Sequence, residues 1–419
     1  IFCPMMRTAL LLMFLYHLAL SSSFAQNISL HELLEAHRDS FPKVMAQPEK
    51  YEIQIIYTQI NRDQNNIPSF KTYRYRVNRN RYFYPASTVK MPIAFLALEK
   101  INQLNIRGLD KHTVMKTDAL RSPQQPAHHD TTAANQLPSI AQYIKKIFLV
   151  SDNDAFNRLY EFLNVRNINH SLWNKGYRDL HILHRLGAEG AVFGLEDNRY
   201  TNSIRFIEED SLVYFQGESY SKIDPRPRLN NRFKGKGHYN RTGQLVQLPF
   251  DFSYKNYVSL SNLHDMLKAV LFPKSISPHQ RFDLTAADYD FLYRYLSAKP
   301  RESDAPRYDK PDGYVKFFLY GGAAEKIPDH IRIFNKVGFA YGFLSDVAYI
   351  MDLENKVEFM LSAVIHVNEN EIYNDNQYEY DRIGLPFLAK LGQIIYDYEK
   401  QRPKAHLPDF SRFEKAVFK

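Results

Sequence analysis

The 419-residue chain has a single cysteine, Cys3, one tryptophan and 16 glycines. One cysteine excludes a disulfide framework and a thiolate-held metal. Cys3 also precedes the paired Met5 and Met6 and is expected to be lost with everything before the mature start. Glycine at about 4% sits below the usual roughly 7%, which leaves few hinges. The longest N-terminal apolar run, Thr8 to Leu20, falls short of the roughly 20 residues that cross a bilayer. There is no glycine-rich phosphate loop, no dinucleotide fingerprint, no internal repeat and no low-complexity tract. What is abundant is aromatic anchorage. Tyr and Phe number 29 each, and with 44% hydrophobic and 24% charged residues the chain reads as a compact globular protein.

Arg7, the run to Leu20 and the small-residue ending Ser21 to Ala25 form the three-part pattern of a secretory signal peptide. The expectation is therefore a signal over 1–25 and one catalytic unit over 26–419, exported to a bacterial periplasm or beyond. No membrane span is expected after cleavage. Part of the formal charge of +8 is concentrated between Lys222 and Arg241, where Lys and Arg outnumber the lone Asp224. Interleaved prolines and glycines mark a solvated loop there, and no nucleic-acid partner is expected for an exported protein.

Leu30 to Met45 has helical spacing behind a Ser29/Glu32 capping box, which predicts one amphipathic helix. Tyr51–Ile60 and Phe70–Val77 alternate across a turn at 61–68 and predict a β-hairpin. Met91 to Gln103 suits a buried helix. From about Leu104 to Leu296 the pattern is mostly helical, firmest at 139–148, 155–164, 259–271 and 285–296. Strand periodicity returns at 331–336, 345–352 and 358–366 before a closing helix at 384–401. Together these predict an α+β fold: an antiparallel sheet built from both termini with helices packed on it, and an inserted all-α region. The sheet part is expected at about 26–86 and 325–419, and the helical part at about 87–324 with an insertion at about 197–255.

Three short patterns carry chemistry. Ser87 and Lys90 lie three apart where the hairpin hands over to the buried helix. A desolvated amine there can take a hydroxyl proton, and the helix start offers N–H groups to an oxyanion. Ser151-Asp152-Asn153 sits between two helices, supplying a hydroxyl that can relay a proton and an amide that can hold substrate. Lys336-Val337-Gly338 ends a strand, pairing a cation with a residue that lets a substrate approach. Each pattern alone also fits an ordinary cap or strand end. His128-His129-Asp130 lies in a loop without ligand spacing, and neither metal nor cofactor is expected.

Taken in order, the three patterns resemble the motif set of the serine β-lactamases and penicillin-binding proteins, and the frame resembles class A β-lactamases over most of 30–400. The resemblance implies Ser87 as acylated nucleophile, Lys90 as its base and Ser151 as proton relay. It implies Asn153, Lys336, Gly338 and Phe339 as substrate-binding, with the N–H groups of Ser87 and Phe339 as oxyanion hole and Asp152 as a structural carboxylate. The implied substrate is a β-lactam or related amide or ester, small or derived from peptidoglycan, taken by a monomer. D-amino-acid peptidase or esterase activity is the near alternative, and a non-catalytic envelope binder that keeps the fold is the distant one. Two departures stand out. Val337 replaces the usual hydroxyl residue, and no Glu-x-x-Leu-Asn segment is present, leaving Glu189 or Glu196 as substitutes for the deacylating base.

Overall fold

The computed structural model describes residues 29–187, 193–224 and 227–418. The expected signal segment and Glu189 lie outside them. Helix α1 (Leu30–Ala36) opens on the expected capping box, with Ser29 N donating to the Glu32 carboxylate and Glu32 N to Ser29 Oγ. The single helix expected through Met45 is instead broken in two. Proline has no N–H to give a helix interior, so Pro42 sits at the first turn of a separate helix α2 (Pro42–Ala46). Strands β1 (Gln54–Arg62) and β2 (Pro68–Tyr75) form the hairpin, Tyr57 facing Tyr73. Helix α3 (Lys90–Leu104) is buried along most of its length.

A short strand β3 (Val114–Thr117) follows, then helices α4 (Ile140–Val150), α5 (Asn153–Leu163) and α6 (Val165–Asn174). The inserted region is not wholly helical. Strands β4 (Ile204–Glu208) and β5 (Ser211–Gln216) make a hairpin whose turn, Glu209-Asp210, has positive φ at both residues, and β4 pairs with β3. Ile204 and Phe206 are buried while Arg205 and Ile207 are less so, a two-residue period that belongs to a strand. Two- and three-residue strands continue to Val258, including 233–234 and 237–239 within the basic stretch.

Helices α7 (Leu260–Leu271) and α8 (Ala286–Ser297) lead to three long strands, β6 (Ile331–Ala340), β7 (Phe343–Asp352) and β8 (Val357–His366). Helix α9 (Leu385–Gln401) and α10 (Ser411–Val417) close the chain. The sheet order is β6-β7-β8-β1-β2, antiparallel throughout, so the two ends of the chain build one sheet as expected. β1 is an interior strand between β8 and β2, and Ile55 to Ile60 are buried on both faces. One apolar cluster fills the space between the sheet and α3 to α8. A second lies under α1, α2 and α9 on the opposite face. Each large apolar side chain so buried contributes roughly 1.5–3 kcal/mol against the ordering entropy of the chain. Among the described residues no helix is long and apolar enough to cross a membrane.

The basic stretch is only partly a solvated loop. Lys234 is buried and donates to both carboxylate oxygens of Glu52 at 2.8 Å, tying the insertion to the start of the sheet. Phe252 adds an apolar anchor, its ring centroid 5.2 to 5.5 Å from those of Tyr82, Tyr341 and Tyr373. Removing one partner of a buried ion pair typically costs roughly 3–5 kcal/mol, so Lys234 is a structural cation.

Candidate active site

β6 is an edge strand, paired only with β7, and its free edge runs past the entry to α3. The segment Ala86–Val89 is a 3₁₀ turn that flows into α3. Ala86 takes the left-handed conformation at φ 46°, and Thr88 ties the turn by donating from N and Oγ1 to Pro85 O at 3.1 and 2.7 Å. The turn leaves Ser87 partly exposed while Lys90, one turn on, is fully buried. The Ser87 hydroxyl makes no hydrogen bond among the described residues.

The triplet forms the joint between α4 and α5. Ser151 caps α4 in the left-handed conformation, with φ 58°, and its N donates to Ile147 O. Asp152 caps α5 by accepting from Ala155 N at 2.8 Å, the structural use expected of it. The two caps turn Ser151 and Asn153 toward α3. Lys90 Nζ donates to Ser151 O, to Asn153 Oδ1 at 2.6 Å and to Ser151 Oγ at 3.3 Å. From the other side Lys336 Nζ donates to Ser151 Oγ at 2.8 Å and to Val337 O at 2.9 Å. The Ser151 oxygen thus uses both lone pairs as acceptors, which leaves its O–H free to donate.

Burial moves both amines. It lowers Lys90 to about 7, against the opposing pull of Asp152. It carries Lys336 well below the ordinary lysine value, with the Lys90 charge pushing the same way. Lys90 is therefore poised to exchange a proton near neutrality. As an ammonium it spends its donors on Ser151 and Asn153, and no hydrogen bond joins it to Ser87. Losing one proton frees a lone pair for the serine hydroxyl, a bond of the kind that tightens only when substrate is present.

Gly338 brings the third motif against the first. A Cβ there would lie 2.5 Å from Pro85 O and 3.0 Å from the N atoms of Ser87 and Thr88, so only glycine lets β6 pack on the Ser87 turn. Because Val337 O accepts from Lys336 Nζ on the site side, Val337 turns its backbone polar groups to the free edge. The two-residue period of a strand turns those of Phe339 the same way. The Phe339 N–H accordingly faces the cleft edge beside Ser87.

Sequence reasoning missed the support behind this strand. Lys316, fully buried, donates to Leu296 O, Ile333 O and Asn335 Oδ1 at 2.7 to 2.8 Å. Asn335 Nδ2 donates to Asp346 at 2.7 Å, and Asp346 also accepts from Phe317 N and Phe318 N. Burial raises Asp346 to about 6 and lowers Lys316 to about 7. A lone carboxylate in the apolar run Val347-Ala-Tyr-Ile350 and its neighbours was the available signal.

The proposed deacylating carboxylates fare differently. Glu189 lies outside the described residues. Glu196 is exposed and pairs with Arg199 three residues on. Just before residue 188, the buried Arg185 guanidinium pairs with Glu161 at 3.1 Å, and Gly187 packs on Asn153 at φ 84°. His181 and His184 pack beside the insertion, His181 Nε2 against Lys255 O and His184 Nε2 accepting from Asn256 N. His128 pairs with Asp118 and Asp130 with Lys146. Among the described residues no group of three or more His, Cys, Asp or Glu is placed to hold a metal.

Residues 40–210 match the model of the Beta-lactamase enzyme family. That segment holds Ser87, Lys90 and the Ser151 triplet and ends before Lys336, and over it the chain resembles serine β-lactamases and penicillin-binding proteins. No protein of curated function matches the chain. Similar solved structures include a beta-lactamase from Sphaerobacter thermophilus DSM 20745, at 12% identity and TM-score 0.48 over 89% of this chain and 99% of that one. Another is a beta lactamase from Xanthomonas campestris pv. campestris, at 13% identity and TM-score 0.46 over 89% and 99%. PBP-A gives 14% identity and TM-score 0.46 over 89% and 97%. At such identities none of their activities passes to this chain.

Proposed function

We propose that the protein is an exported serine acyl hydrolase that works through an acyl-enzyme on Ser87. The observation that carries this reading is Ser151 Oγ held between Lys90 Nζ and Lys336 Nζ at 3.3 and 2.8 Å, beside a partly exposed serine. A binding module has no physical need for two desolvated amines around one hydroxyl.

In this scheme neutral Lys90 accepts the Ser87 proton as Oγ attacks the substrate carbonyl carbon. The oxyanion is received by the N–H groups of Ser87 and Phe339. Collapse breaks the bond to the amine or alcohol leaving group, which takes the proton from Lys90 through Ser151 Oγ. Water then cleaves the ester on Ser87. Asn153 holds both Lys90 and an acyl amide, and Lys336 fixes the relay serine. The substrate class is a β-lactam or a related amide or ester, and the N-terminal 1–25 segment directs the chain to the envelope.

Nitrocefin, a fluorescent penicillin and a series of p-nitrophenyl esters, followed for both product release and covalent mass, test the reading. A stoichiometric acyl adduct with at least one of them is the expected result. Steady turnover identifies a hydrolase, and a burst without turnover identifies a penicillin-binding type. Silence with all of them supports the non-catalytic binder, which the absent Lys90–Ser87 hydrogen bond would then explain.

A further inference from the structure

Along β6, side chains alternate. Lys336 and Gly338 face Ser151 and the nucleophile turn, and Val337 and Phe339 face the opposite side of the same free edge. Val337 is buried in the second core cluster. Phe339 is 54% exposed although its backbone lines the cleft. Its ring lies 6.3 Å from Phe317 and edge-on to Tyr380 at 5.5 Å. Tyr380 is itself fixed, since its hydroxyl accepts from Gly342 N at 2.8 Å. The result is an apolar shelf, backed by Phe317 and Tyr380, next to the Phe339 backbone.

Resting on the acyl-hydrolase reading above, we propose that this shelf selects substrates whose leaving group is neutral and apolar next to the scissile bond. A carboxylate placed there finds few donors. Val337 supplies no hydroxyl. Lys336 commits two N–H groups to Ser151 Oγ and Val337 O, and its burial beside Lys90 favours the uncharged amine. Lys316 behind the strand is spent on three oxygens. The nearest cation of the segment carrying Tyr380 is Arg382, which is already paired with Glu369 at 3.1 Å and Glu379 at 3.5 Å, and Asp381 adds a further negative charge. A carboxylate there gains no protein partner, whereas an apolar group gains by leaving water for Phe339, Phe317 and Tyr380.

The test compares two aryl esters of one N-acylglycine, the phenyl ester and its m-carboxyphenyl counterpart, on the whole mature chain. The expected kcat/KM for the neutral ester exceeds that for the charged one by about tenfold or more, the discrimination an apolar subsite can give. Phe339→Ala, at an exposed position, is expected to narrow that ratio through a raised KM for the neutral ester. Equal rates, or a preference for the charged ester, overturn the shelf, as does a ratio unmoved by Phe339→Ala. Labelling of Ser87 by a small uncharged fluorophosphonate separates the two failures. Labelling with an unmoved ratio sinks the shelf alone, and no labelling with no ester turnover sinks the hydrolase reading and the shelf together.

Discussion

Lys90→Met is expected to slow acylation of Ser87 by a factor of about 10² to 10⁴, the usual contribution of a positioned general base. Methionine keeps the length and apolar stem of a fully buried side chain but offers no lone pair to the serine proton. It also leaves the Ser151 carbonyl and Asn153 Oδ1 without their donor, a loss of roughly 1–3 kcal/mol that a thermal melt registers without loss of fold. The pH dependence provides the sharper signature. Burial lowers Lys90 to about 7, and the base must be unprotonated to act. The wild-type acylation rate is therefore expected to rise as pH increases through about 7 and then level off. In the variant that rise is expected to disappear. A single-turnover rate measured from pH 5 to 9 on both proteins checks the sign.

Gly338→Ala is the second large effect. The added methyl would lie 2.5 Å from Pro85 O, inside any tolerated contact, and the atoms it meets are backbone rather than the yielding end of a side chain. Either β6 or the Ala86–Val89 turn must move. Overpacking of this kind costs roughly 1–3 kcal/mol. A shift of about 1 Å between Ser87 and the Phe339 N–H is enough to lower the acylation rate about 100-fold. The expected signature is a rate loss much larger than the fall in Tm implies. An alanine variant that acylates at the wild-type rate would show that β6 does not press on the nucleophile turn.

Much of this was legible in the chain because it is local. The hairpin, the buried helix after Ser87 and the last three strands carry periods of two and 3.6 that survive reading one residue at a time. Ser139 and Ser259 cap α4 and α7 where the pattern changes. The three motifs were visible for the same reason, each being a short run at an element end. What was not legible depends on distant partners. The β4–β5 hairpin was lost among helical neighbours because its pairing strand, β3, lies about ninety residues earlier. Lys234 read as one more surface cation because its partner is Glu52, far earlier in the chain at the start of the sheet. Lys316 and Asp346 gave no spacing signal, since they are joined only in the fold, through Asn335 of β6. The break at Pro42 was local and available: a proline inside a helical pattern marks a start or a stop.

The apolar shelf and the buried amines describe one electrostatic situation. Burial disfavours charge on Lys90 in α3 and on Lys336 in β6, which on the proposed reading suits proton transfer by Lys90 and disfavours a charged leaving group. The central claim is the covalent step on Ser87. Incubating wild type and Ser87→Ala with a fluorophosphonate and reading intact mass, followed by peptide mapping, tests it most directly. One adduct per wild-type chain, mapped to Ser87 and absent from the alanine variant, is the predicted result. Equal labelling of the two proteins, or an adduct mapped to another residue, would contradict it.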